Sequence, residues 1–157
     1  MRINLLCIGK TDDKKITELI SYYIARLPKH WNFEMIEIPD AKNARNLSSD
    51  LLKKEEAKLF FNHIENTDLV ILLDEKGKEF TSREFAQKLN YYQNNSIKRV
   101  CFLIGGAYGF SDEMYNRANE KLSLSKMTFT HQMIRLFFVE QIYRADQILQ
   151  GKPYHND

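Results

Sequence analysis

The chain has 157 residues, the size of one ordinary domain, and 43% of them are apolar, enough to fill a single core. No apolar run approaches the length of a membrane span and Met1-Arg2-Ile3 leads straight into strand-like sequence without a cleavage site, so the reading is a cytoplasmic protein with no membrane partner. The net charge of +2 is weakly basic, which neither excludes nucleic acid nor announces it.

Residues 2–9 read as a first strand ending at Gly9. A first helix follows, with Ile16, Leu19, Ile20, Tyr23, Ile24 and Leu27 on one face and Pro28 to stop it. Residues 33–38 form a second strand closed by Pro39, and residues 41–46 a loop carrying Lys42 and Arg45. Ser48 or Ser49 caps a second helix, with Leu52, Leu59, Phe60 and His63 spaced for one side. Residues 69–73 are uniformly apolar and predict a central third strand, after which residues 74–78 turn the chain. Thr81 and Glu84 have capping-box spacing for a third helix through Tyr92.

Residues 100–104, five apolar residues in a row, predict a fourth strand buried on both faces. Gly105, Gly106 and Gly109 then allow a sharp turn and close approach of a ligand to the main chain. Ser111 caps the next helix, where Asp112 and Glu113 complement its dipole. Residues 122–125 alternate apolar and hydroxyl, a short strand running into a loop. Ile134, Phe137, Phe138, Ile142, Ala145, Ile148 and Leu149 then mark one face of a long last helix. The fold class is therefore α/β, a mainly parallel sheet with helices on both faces. Without repeat or linker, residues 1–157 make one domain.

A buried strand, a glycine turn and a helix start together predict a ligand site at the carboxyl end of the sheet. The glycines depart from the dinucleotide fingerprint, and no P-loop is present. Cys7 and Cys101 read as buried reduced thiols, and the four histidines lack metal-ligand spacing, so no metal is expected. His131, at the start of the last helix, suits capping, a core position or catalysis. Arg144 suits a surface, a buried carboxylate or a phosphate.

Several of these features, taken in order, carry a resemblance. They are Leu72-Leu73-Asp74 with Gly77-Lys78, Leu103-Ile104-Gly105-Gly106 with Gly109, the run from Leu122 to Thr128, His131 with Arg135, Glu140 with Tyr143-Arg144-Ala145, and Pro153-Tyr154-His155. This set resembles the bacterial 23S rRNA pseudouridine N3-methyltransferase family, small single-domain members of the SPOUT class. The resemblance runs from Met1 to His155, with two departures: Thr130 replaces a proline common in relatives, and Asn156-Asp157 extend the tail.

The resemblance implies a C-terminal trefoil knot, a homodimer with each cofactor pocket near the subunit interface, and S-adenosylmethionine as cofactor. It implies a pocket lined by Leu73, Gly105, Leu124, Ser125, Lys126, Met127, Thr128 and Phe129. Gly106 joins Gly105 in leaving room for the ribose and methionine parts, where a Cβ would clash. The substrate it implies is a pseudouridine of 23S rRNA in the assembled ribosome, in the stem-loop facing the decoding centre; DNA is not expected. Catalytic candidates are Arg144, which could hold a phosphate or polarise a carbonyl, Tyr154 and His155, which could close over the base, and His131, which could orient substrate or cap the helix. Lys10, Lys14, Lys15, Arg26, Lys29, Lys42 and Arg45 are candidate phosphate contacts. Two alternatives stay open: a non-catalytic ribosome-binding factor, and a nucleotide-binding α/β module.

Overall fold

The computed structural model describes residues 1–154. In chain order it contains β1 (Arg2–Ile8), α1 (Lys14–Ile24), β2 (Phe33–Ile38), α2 (Ser49–Phe61), β3 (Leu69–Glu79), α3 (Ser82–Asn94), β4 (Arg99–Ile104), α4 (Asp112–Arg117), β5 (Glu120–Ser123) and α5 (His131–Leu149). Single 3-10 turns stand at Lys29–Trp31 and Ala44–Asn46. The five strands form one sheet in the order β2-β1-β4-β3-β5, and every pair is parallel.

Burial explains which strands are central. Along β4 every residue after Arg99 is buried, and along β1 every residue after Arg2 is, so both need cover on both faces. On one face Ile20 of α1, Phe85 and Leu89 of α3, and Phe138 and Ile142 of α5 pack on Ile3, Leu5, Ile71 and Phe102. On the other, Ala57 and Phe60 of α2 and Met114 of α4 pack on Leu6, Val70, Leu72 and Leu103. Helices cover both faces, as expected, and the sheet is wholly parallel.

Local chemistry sets most boundaries. Ser48, Thr81, Ser111 and Thr130 each accept a hydrogen bond from a first-turn amide of the helix they precede. Thr81 and Glu84 form the full capping box. The first helix ends at Ile24 rather than reaching Pro28, and residues 25–27 wind it down with tighter bonds, Arg26 amide to Tyr23 carbonyl at 3.0 Å and Leu27 amide to Ile24 carbonyl at 3.1 Å.

Two expectations are corrected. Residues 74–78 do not turn the chain away: β3 continues to Glu79, with an irregularity in its register on β5 between Leu73 and Lys78. Gly77 makes this feasible, since a Cβ there would lie 2.6 Å from the Leu122 backbone. Asp74 accepts the Lys76 amide proton at 2.8 Å and rounds the irregularity. In α5 the buried face is Phe138, Val139, Ile142 and Ala145, and Leu149 stays exposed. Phe138, Ile142 and Ala145 lie inward as the spacing predicts, and Ile134 and Ile148 pack at the edge of the same core; Phe137 and Leu149 are the positions that depart.

The same packing buries Arg135, 2% exposed, on the inward side of α5. Its guanidinium donates to the Ile8 carbonyl at 2.6 Å and to Thr11 Oγ1 at 2.9 Å, tying the first turns of α5 to the end of β1. Cys7 and Cys101 are buried, and burial pushes both thiols up to about 12, far from reactive thiolates. Among the described residues no helix is long and apolar enough to cross a membrane, and no group of three His, Cys, Asp or Glu could hold a metal ion.

Candidate active site

Because all strands are parallel, the carboxyl ends of β3, β4 and β5 lie along one edge. A cavity of about 460 Å³ opens there, a size ordinary for a small-molecule site. Its walls are three segments far apart in sequence: Leu73, Asp74 and Glu75 at the irregularity inside β3; Ile104, Gly105 and Gly106 where β4 ends; and Leu124, Ser125, Met127, Thr128 and Phe129 after β5. His131 and Ile134 of α5 complete it.

Each wall has a local cause. In the last loop, Ser123 Oγ donates to the Ser125 carbonyl at 2.9 Å, and Ser125 Oγ accepts the Met127 amide proton at 2.9 Å. These turns leave Met127 74% exposed at the mouth and Phe129 edge-on to Phe137. In the glycine turn, the Gly109 amide donates to the Gly106 carbonyl at 3.1 Å, and Gly109 takes φ +75°, a conformation that favours glycine.

The two leading glycines answer to protein atoms. A Cβ at Gly105 would stand 3.1 Å from the Gly109 carbonyl oxygen and 3.2 Å from the Phe110 ring. One at Gly106 would overlap the Glu56 carboxyl. On the β3 wall, the Tyr115 hydroxyl donates to Asp74. Burial and that carboxylate push the Tyr115 hydroxyl above its ordinary range, so it stays a donor.

The remaining candidates divide. Lys126 turns outward, 85% exposed at its side chain and 3.8 Å from Glu79, and does not line the cavity. His131 lines it; Thr130, not His131, caps α5. Partial burial, then the Arg135 charge, lowers the His131 pKa, which favours a neutral imidazole at pH 7.

Arg144 lies elsewhere, about 20 Å along α5 from His131 at the usual helical rise, and Tyr154, beyond the end of the helix, folds back beside it. They gather on Glu140: Arg144 donates to Glu140 Oε1 at 2.6 Å, and the Tyr154 hydroxyl donates to the same oxygen at 3.1 Å. The Arg144 guanidinium also stands 4.9 Å from the centre of the Tyr154 ring. Glu140 in turn lines a second cavity of about 340 Å³ that shares Leu122, Ser123, Leu124, Ser125 and Phe129 with the first. His155 lies outside the described residues. The seven candidate phosphate contacts are all exposed, and Arg26 stacks over Tyr22 at 3.8 Å.

The main cavity can hold a nucleoside joined to a short charged chain. Leu73, Leu124, Met127 and Phe129 offer apolar walls, the turns offer backbone polar groups, and Asp74 and Glu75 complement a cation. The family described as "Predicted SPOUT methyltransferase" matches residues 1–155. The chain belongs to this family. SPOUT methyltransferases use S-adenosylmethionine, and the cavity residues fit that cofactor.

Relatives named "Ribosomal RNA large subunit methyltransferase H" match this SPOUT methyltransferase throughout. The one from Cytophaga hutchinsonii is 53% identical over 156 residues, covering 99% of this chain and all of its own. The one from Christiangramia forsetii is 50% identical, covering 99% of each chain. The one from Bacteroides thetaiotaomicron is 48% identical and covers all of both.

Tyr115 in the cavity wall, Glu56 behind that wall and the lining role of Asp74, named above only within a motif, were not among the expected site residues. For Glu56 a signal was present: it follows Leu52 by four residues and precedes Phe60 by four, which puts an acid on the inward stripe of α2.

Proposed function

We propose that this SPOUT methyltransferase modifies large-subunit ribosomal RNA in the cytoplasm, methylating N3 of a pseudouridine in 23S rRNA of the assembled ribosome, in the stem-loop facing the decoding centre. The observation that carries the reading is the convergence of Leu124, Ser125, Met127, Thr128, Phe129, Gly105 and Leu73 on one cavity, in a chain about half identical along its length to relatives named for rRNA methylation. S-adenosylmethionine supplies, when bound, a sulfonium methyl carbon open to in-line displacement.

Leu73, Leu124, Met127 and Phe129 would flank the adenosyl part, and Asp74 and Glu75 would favour the cationic end. His131, neutral at the cavity edge, would orient the substrate by hydrogen bonding. N3 of the base carries a proton that has to leave before nitrogen attacks carbon. Tyr154 and His155 are the tail groups we assign to close over the base, with His155 as acceptor of that proton. Arg144, preset by Glu140, would hold a phosphate or polarise a uracil carbonyl.

The distance of Arg144 and Tyr154 from the cavity of their own subunit favours a homodimer, in which one subunit's tail serves the other's cavity. Leu19 and Tyr22, both about half exposed on α1 beside the Tyr23, Tyr143 and Tyr154 rings, supply apolar surface for such an interface. We also assign the C-terminal trefoil knot of the SPOUT class to this chain; the return of β5 to pair with β3, outside β4, is compatible with it.

The test is methyl transfer from labelled cofactor to ribosomes lacking the modification, with the labelled nucleoside identified after digestion. Label in N3-methylpseudouridine is expected. Saturable cofactor binding without label in 23S rRNA would overturn the substrate assignment. Arg144→Ala and His155→Ala should each lower turnover at least tenfold with cofactor affinity unchanged. A monomer by light scattering at micromolar concentration would overturn the dimer.

A further inference from the structure

Glu56 is a buried acid that the reaction as described leaves unused. It sits on the inward side of α2, 6% exposed, among Leu52, Ala57 and Phe60 and on the sheet face opposite α5. Such a carboxyl loses water, and buried polar groups ordinarily regain full hydrogen bonding. Here Oε2 accepts one hydrogen bond among the described residues, from the Gly106 amide at 3.3 Å. Burial pushes the carboxyl above the usual Glu range, the Gly106 amide draws it partly back, and Asp40 adds to the rise.

The partner is what makes this acid more than core filling. Gly106 lines the cofactor cavity, whereas Glu56 does not. A methyl group on Gly106 would overlap the Glu56 carboxyl. The carboxyl therefore fills the space that any side chain at 106 would occupy and bonds the amide of the same residue. Its backbone neighbours in the turn, Gly105 and Gly109, are constrained from other sides, by Phe110 and by a positive φ.

We infer that Glu56 is a positioning residue for the cofactor turn: from behind Gly106, its carboxyl holds the Gly105-Gly106 backbone in the form that accepts S-adenosylmethionine. The inference rests on this cavity being the cofactor site. A carboxyl that only filled the core would affect folding and leave the affinity of folded protein alone.

Calorimetric titration with S-adenosylmethionine, beside thermal melting without it, separates these roles. Wild-type protein sets the reference, and its failure to bind would overturn the cavity reading on which the inference rests. Glu56→Gln keeps an oxygen acceptor and should stay within about twofold of wild type. Glu56→Ala should bind roughly tenfold more weakly, as expected for one lost hydrogen bond between a carboxyl and a partly buried amide. If Glu56→Ala does not fold, Glu56→Leu fills the space without an acceptor and should show the same loss. Gly106→Ala should also bind poorly, and Glu56→Ala added to it should restore part of the affinity, because the new methyl then has room. Wild-type affinity in folded Glu56→Ala or Glu56→Leu, or no recovery in the double variant, would overturn the assignment.

Discussion

Asp68 and Glu56 are buried acids at opposite ends of the sheet, and their surroundings drive them in opposite directions. Asp68 immediately precedes β3 at the amino end. Arg99, the first residue of β4, grips both its oxygens, one through Nε at 2.7 Å and the other through its terminal nitrogen, and the Glu65 amide adds a bond of 2.6 Å. Burial would raise this carboxyl, but the Arg99 and Glu65 hydrogen bonds outweigh it and hold the group below its usual range. Glu56 meets one amide at 3.3 Å at the carboxyl end and is raised. The amino end is clamped by a charged fork, and the carboxyl end, beside the cavity, is closed by a weaker contact. Stability and binding should therefore respond to different substitutions.

The largest effect expected is on the clamp. Asp68→Ala leaves Arg99 without its main buried partner and should cost about 3 kcal/mol of unfolding free energy in urea titrations. Cofactor affinity of the folded variant should not change; a tenfold loss would show that the two ends are coupled. Gly77→Ala comes next, at about 2 kcal/mol, since a methyl 2.6 Å from the Leu122 backbone forces β3 and β5 apart. Unlike the first, it should also weaken cofactor binding, because Leu122 enters the cavity wall.

A pH series sharpens the contrast. The depressed Asp68 gives stability that is fully present above its unfolded pKa of about 3.9 and lost as pH falls through the lower folded value. The raised Glu56 works oppositely: its contribution is full below about 4.3 and lost as pH rises through its folded value. Asp68→Asn should flatten the acid limb of the stability profile, and Glu56→Gln the limb just above it. The smallest effect is at the loop. Ser125→Ala removes the acceptor for the Met127 amide, worth about 1 kcal/mol, and should weaken cofactor binding roughly fivefold while lowering the melting temperature by no more than about 4 °C.

Features governed by neighbours in sequence were legible from the residues. The strand at Phe33–Ile38, the Thr81–Glu84 capping box and the Ser111 cap depend on contacts within a few positions and lie where local pattern puts them. Features governed by distant contacts were not. The second half of β3 exists because Lys78 and Glu79 meet β5, more than 40 residues later, which no local turn signal conveys. The outward rotation of Lys126 inside a block that otherwise lines the cavity follows from the Ser123 and Ser125 turns, not from composition. In the site, Leu73, Gly105, Gly106, Leu124, Ser125, Met127, Thr128, Phe129 and His131 line one cavity while Lys126, Arg144 and Tyr154 do not, and Glu56 went unread because its partner is 50 positions away.

The strand order also has a consequence for how the chain is made. Before Arg99 is synthesised, β1 and β2 are the only sheet neighbours available to each other, since β3 pairs solely with β4 and β5. The cavity waits longer still, because one wall follows β5 and its edge is α5. Cofactor therefore cannot assist the nascent chain at early stages of translation. Most of the sheet closes only after β4 and β5 have been made, which places the slow, long-range steps of folding late in synthesis of these residues.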